Sequence, residues 1–364
     1  MSPSHPSWIE DSLNALLFAA SSLLACVVAA AVLRRWPSQT EPSVVFWRRR
    51  SGKPLVTLLI DELRVLSTGV AQMAAVPGYS KWGKLTGYVA GVCLLSCLPL
   101  WPMNSTGGRA SIVLGDELFV VWCALFVVAC CRYVANNSRS VRALVGPVIP
   151  AWALCLVFLE FCQTAQTSSM TGLVSYQAEH GLWLIMTQPV AALCCVASIW
   201  ILIVSDVDPR SGDPSDDPLA RVNATWCMLH VGLASYVLAL VLFGGWHFWG
   251  VNWAASGRGV WQVVLGFGVL HVKVLCIACI LLAGRRRWWL HLDACETLLD
   301  VTCRVLPAVA LGSMLLAVSL AHSPRLSAQP LLRATIGWLL LTIVLAGFAK
   351  LRSRQNRGSE ELSL

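Results

Sequence analysis

Gly181-Leu-Trp-Leu-Ile-Met-Thr-Gln-Pro-Val190 opens an apolar run that lasts to Ser205. The polar loop Asp206-Val-Asp-Pro-Arg-Ser-Gly-Asp-Pro-Ser-Asp-Asp-Pro-Leu-Ala-Arg221 follows it. A second apolar run then ends Leu242-Phe-Gly-Gly-Trp246. Each run is long enough to cross a hydrocarbon layer, which takes about 20 apolar residues in a helix. The two spans therefore hold between them a short loop carrying Asp206, Asp208, Asp213, Asp216 and Asp217, with Arg210 among them. Carboxylates at a helix mouth are costly to desolvate, so the loop needs water, basic partners or protons to exchange. The plain alternative is a solvated connector.

Composition agrees with a membrane solvent. Of 364 residues 57% are hydrophobic and 13% charged, where a soluble domain carries about 25% charged residues. Mean hydropathy is +0.67. The net charge of +8 sits in clusters beside apolar runs, which reads as membrane topology and not as a nucleic-acid surface. The 15 cysteines lie mostly inside apolar runs, where they act as small packing residues. Cys276-Ile-Ala-Cys279 has CxxC spacing, but it falls mid-span without histidine pairs or a Gly/Pro turn. No metal site is expected from it. Met1 to Ser12 contains no basic residue ahead of the first apolar run, unlike a cleaved signal or an Arg-rich transit peptide.

Span-length apolar stretches occur at 12–33, 85–103, 112–135, 142–163, 182–204, 223–246, 260–284, 302–321 and 334–350. The expected fold is an all-α polytopic membrane protein with about nine transmembrane helices. Of the 27 Lys and Arg, only Arg109, Arg258, Arg325 and Arg333 fall on one side, and Lys273 lies within a span. All the others, with the C-terminal tail, fall on the opposite side. That bias places the N-terminus outside and the aspartate loop, 205–221, inside. Between the first two spans, at about 54–72, Leu55, Leu58, Leu59, Leu63, Leu66 and Val70 recur near helical spacing, with Asp61, Glu62 and Arg64 on other faces. Behind Arg48-Arg-Arg50 this predicts an amphipathic helix in the inner interface. It would anchor to anionic lipids, roof an opening into the bilayer, or dock a soluble partner.

Ionisable residues within spans are few: Glu160, His230, His271 and Lys273, with Asp116 and Glu117 near an outer end. Such residues are disfavoured facing lipid and so are candidates for function, although a lone His or Glu also serves to bridge helices. Lys273 stands out, because a buried ammonium needs a carboxylate partner or must lose its proton. No Gly-rich phosphate loop, nucleotide motif or triad spacing is present, so the chain is not expected to be catalytic alone.

Taken in order, these segments resemble the quinone-chamber membrane subunit of respiratory complex I, subunit 1 of mitochondria and H of bacteria. The likeness runs in pieces from about residue 10 to 310. Leu55 to Leu66 is similar to that family's inner amphipathic helix, with Asp61 at its acidic position. Asn137-Ser-Arg-Ser-Val-Arg-Ala-Leu-Val-Gly146 stands in place of its Asn-Ser-Lys segment. Trp183 and Gln188-Pro189 match the Trp…Gln-Pro opening of the fifth span, and Asp206 to Asp216 shadow its acidic loop. Phe243-Gly-Gly-Trp246 matches the end of the sixth span, and Val272-Lys273-Val274 precedes the basic exit at Arg285. There are departures. The family's Arg and Glu in the fourth span fall on Ile149 and Phe158, with Glu160 two residues away. The last loop glutamates fall on Pro218 and Ala220, and a ninth span is added.

The resemblance implies residues 1–321 as a quinone-chamber-like membrane domain of eight spans, and 322–364 as an extra span and basic tail. It implies a membrane subunit of a proton-translocating NADH:quinone oxidoreductase in an energy-transducing membrane, either the mitochondrial inner or the bacterial cytoplasmic one. Quinone would be the substrate, with no covalent cofactor and no metal on this chain. Flavin and iron–sulfur clusters would belong to partner subunits of the membrane and hydrophilic arms; lipids would be further partners and nucleic acid none. Asp206, Asp208, Arg210, Asp213 and Asp216, with Asp61 and Arg64, would line the quinone chamber and couple it to protons. Glu160, Lys273 and His230 would extend an intramembrane proton path. The alternatives are a structural anchor with lost or reduced quinone chemistry, the related subunit of a membrane-bound hydrogenase-type complex, and an unrelated transporter.

Overall fold

The computed structural model describes residues 117–136, 147–204, 218–248, 260–290 and 292–321, and helical positions 56, 57, 60, 61, 64, 68, 335, 336, 338, 339, 342 and 343. Among the described residues all regular structure is helical and no strand occurs. The longer elements are α1 (Leu118–Asn136), α2 (Val148–Ala165), α3 (Met170–His180), α4 (Leu184–Thr187) and α5 (Pro189–Ile199), the last continued by a π-helical turn, Trp200–Val204. They are followed by α6 (Pro218–Leu242), α7 (Val260–Leu290) and α8 (Leu292–Ala321). Among the described residues two stretches, Val148–Ala165 and Val264–Gly284, are long and apolar enough to cross a membrane. Leu118–Cys131, Pro189–Leu202, Met228–Leu242 and Val305–Ser319 are shorter apolar helical stretches.

Local chemistry explains the breaks. Pro150 sits in the first turn of α2, where a missing N–H costs nothing. The helix closes at Gln166 in the left-handed region, whose N–H returns to the Cys162 carbonyl. Ser169 then caps α3, its hydroxyl oxygen accepting the Gly172 N–H at 2.8 Å. The helix stops at Gly181, with φ of 64°. Helix α3 falls between the expected fourth and fifth spans, where apolar run length gives no sign of it. Its buried positions Met170, Leu173, Val174 and Gln177 recur at helical spacing. Pro189 separates α4 from α5 by starting the latter at its first turn.

The helices differ in what surrounds them. Every side chain from Met228 to Leu242 of α6 is buried, so this helix is sheathed by protein on all sides. Helix α7 packs on α6 and leaves Val264, Leu265, Val272 and Ile280 exposed, an apolar face suited to lipid. On the other flank α8 lies along α2 and α5. The helices overrun some expected spans, with α7 reaching Leu290 and α8 starting at Leu292, ahead of 302.

Candidate functional site

Lys273 projects from α7 to the C-terminal end of α6. A helix ends with carbonyls that lack intrahelical partners, and inside an apolar bundle each must find a donor. Here the chain leaves α6 through two successive glycines with positive φ, Gly244 at 66° and Gly245 at 49°. That turn is within reach of glycine and strained for other residues. Its own N–H groups are used locally: Gly245 N–H donates to the Ala239 carbonyl at 2.9 Å and His247 N–H to the Gly244 carbonyl at 2.8 Å. The carbonyls of Phe243, Gly245 and His247 are left, and Lys273 Nζ donates to all three, at 2.6 Å to Phe243 and 2.9 Å to Gly245.

The indole of Trp183 closes the remaining side, its centroid 5.2 Å from Nζ. A cation over an indole face is worth roughly 0.5–2 kcal/mol according to how far water is excluded. Trp183 also meets Phe243 edge-to-face at 5.6 Å. An added Cβ on Gly244 would lie 3.3 Å from this indole, so the turn and the ring are fitted to each other. Gln177 of α3 completes the knot. It is 2% exposed, its amide nitrogen donates to the Val241 carbonyl at 3.1 Å, and its oxygen accepts the Leu184 N–H at 2.9 Å. Sequence reasoning missed Gln177; its place in the apolar face of α3 was the signal that could have found it.

His247 follows α6 by five residues and is 7% exposed. Burial, with the Lys273 charge adding to it, lowers its imidazole to about 4. Its Nδ1 has no hydrogen-bond partner among the described residues.

Glu160 lies elsewhere, on α2 where α8 and α5 pack against it, and is 2% exposed. The Ser313 hydroxyl of α8 donates to Oε1 at 3.0 Å, and Oε2 has no hydrogen-bond partner among the described residues. Nearer the end of α2, the Gln188 amide donates to the Thr164 hydroxyl. His230 is buried at 1% exposure within α6. On α7, His271 Nδ1 contacts the Phe267 carbonyl at 2.8 Å, and its ring meets Tyr236 edge-on at 5.8 Å.

The residues singled out in the sequence thus separate into three groups. Asp206, Asp208, Arg210, Asp213 and Asp216 lie outside the described residues. Asp61 and Arg64 are helical, the first half-buried and the second exposed. Glu160 and Lys273 are met by different partners. For Lys273, expected to find a carboxylate or to lose its proton, the partners are three carbonyls and a ring face. Among the described residues no three His, Cys, Asp or Glu side chains converge as metal ligands would. No family model matches the chain, and no curated protein matches it.

Proposed function

We propose that the chain is a membrane subunit of a complex I-type NADH:quinone oxidoreductase, with nine spans and its N-terminus outside. In this reading it forms part of the quinone chamber and docks the hydrophilic arm. One observation carries it. Three stretches on which the resemblance rests, far apart in sequence, meet in a single knot: Trp183, Phe243 to Trp246, and Lys273. Their meeting in one place supports reading the three stretches together.

In this orientation the knot ties the outer ends of the fifth and sixth spans to Lys273 in the middle of the seventh, and the π-helical turn Trp200–Val204 leads into the acidic loop on the inner side. A rigid outer end leaves the inner mouth as the part free to respond to quinone. There Asp206, Asp208, Asp213 and Asp216 would change protonation together, because closely spaced carboxylates titrate as a set. Arg210, Asp61 and Arg64 would border the chamber. Glu160 and His230 would continue the path into the bundle. The anchor reading is favoured by one observation: the position of the family's intramembrane glutamate holds Phe158, which is buried as ordinary apolar core.

Affinity purification from native membranes tests both readings. Flavin and iron–sulfur subunits should copurify with NADH:quinone reduction sensitive to a quinone-site inhibitor. Replacing the loop aspartates by asparagine should lower that activity about a hundredfold or more, the scale of a lost proton-transfer group. Copurification with unchanged activity in the aspartate variants would leave the anchor reading. A nickel–iron partner, or isolation of the chain alone, would remove the proposal.

A further inference from the structure

We propose that the Phe243–His247 turn is a receptor for a primary ammonium, filled by the chain's own Lys273, which makes Lys273 a fixed charge and not a carrier of protons. The match is one of number and direction. An ammonium has three N–H donors, and three carbonyls on alternate residues, Phe243, Gly245 and His247, accept them. A neutral amine has two N–H groups and a lone pair. In this setting the lone pair would face a carbonyl oxygen, and one acceptor would lose its donor. The Trp183 face on the remaining side favours a cation and offers nothing to a neutral amine.

The turn is also built without help from the lysine. Its glycine conformations and its internal N–H bonds to Ala239 and Gly244 set the carbonyl directions. A planar guanidinium cannot bring three N–H groups to one point, and a tetraalkylammonium has none to bring. The cradle therefore selects R–NH3+ and stands whether or not the chain belongs to a quinone-reducing assembly.

Two measurements on the full chain test this. In native membranes, reductive methylation at pH 7.5 and 9 read by peptide mass spectrometry should modify Lys84 and Lys350 and leave Lys273 unmodified at both values. Methylation of Lys273 at pH 9 to the extent of Lys84 would overturn the proposal. The second uses Lys273→Ala, from which n-propylammonium is the missing piece beyond Cβ. Added n-propylammonium should restore, saturably, at least half of the Tm lost by the variant in detergent, and tetramethylammonium or n-propanol should restore none. No rescue, or equal rescue by tetramethylammonium, would also overturn the proposal. Should Lys273→Ala fail to fold, the methylation result on the unaltered chain decides alone.

Discussion

At the end of α6 the Lys273 ammonium has three carbonyl acceptors and an indole face, whereas between α2, α5 and α8 the Glu160 carboxyl has one donor among the described residues, the Ser313 hydroxyl. Both groups sit among apolar helices, and the desolvation cost is of the same kind for each. What differs is how fully the surroundings repay it. A buried charge whose every donor is matched holds neighbouring elements in one arrangement. A carboxyl satisfied on one oxygen only keeps capacity for a further proton, donor or water. The first region is framework, and the second is left with an unmet acceptor among the described residues.

The comparison breaks most visibly if the framework region is opened. Lys273→Met keeps an unbranched apolar stem out to Cε and removes the ammonium with its three donors. The carbonyls of Phe243, Gly245 and His247 would then be left in a dry environment. A buried acceptor left without its donor costs about 1–3 kcal/mol, and three carbonyls lose theirs here. Chemical or thermal unfolding of the purified protein should show a loss of that order. A loss under about 1 kcal/mol would mean that water reaches the turn and that the bonds add only a net hydrogen-bond increment.

His247 sharpens the same comparison through pH. Its imidazole is held down to about 4 in the folded protein against an ordinary value of 6.5. Between those values the unfolded chain binds a proton that the folded one refuses, so stability falls as pH is lowered. Above about pH 6.5 the group has no effect. By pH 4 the accumulated loss is on the order of 3 kcal/mol, at about 1.4 kcal/mol for each pH unit crossed between the two values. Stability measured from pH 8 to 4 should bend downward below 6.5, and His247→Gln should flatten the bend. An unchanged bend in the variant would place the titration elsewhere, with the loop aspartates next to be tried.

How much of this could be read from the sequence follows from which interactions are local. Helix and membrane character are properties of consecutive apolar residues, so Val148–Ala165 and Val264–Gly284 were visible as parts of spans. The two glycines after Leu242 and the isolated Lys273 also stood out, because each is rare in its setting. Their union could not be seen, since Lys273 and Gly245 are joined by a bond to a backbone carbonyl, and every residue has one. A carbonyl acceptor leaves no trace in residue type. This is why the sequence offers Lys273 only a carboxylate partner or loss of its proton, and not the three carbonyls that meet it. The short helix α3 escaped for another reason: it is only 11 residues long and its start depends on the Ser169 cap. Gln177 is not among the candidates the sequence offers, and it is α3 that places it beneath the end of α6.

The smallest effect is expected where satisfaction is already incomplete. Glu160→Gln keeps the shape of the side chain and the oxygen to which Ser313 donates, 3.0 Å away. The other oxygen has no hydrogen-bond partner to lose among the described residues, so the new amide gives up little there. The change in stability should stay within about 1 kcal/mol, the size of a single net hydrogen bond. Under the proposed function, proton uptake coupled to quinone reduction should nevertheless fall, because an amide cannot exchange the proton that a carboxyl can. Stability and proton uptake measured on the same preparation separate the two roles. A loss of several kcal/mol with uptake intact would move Glu160 into the same class as Lys273, a group whose charge is needed to hold helices together, and the contrast between the two regions would disappear.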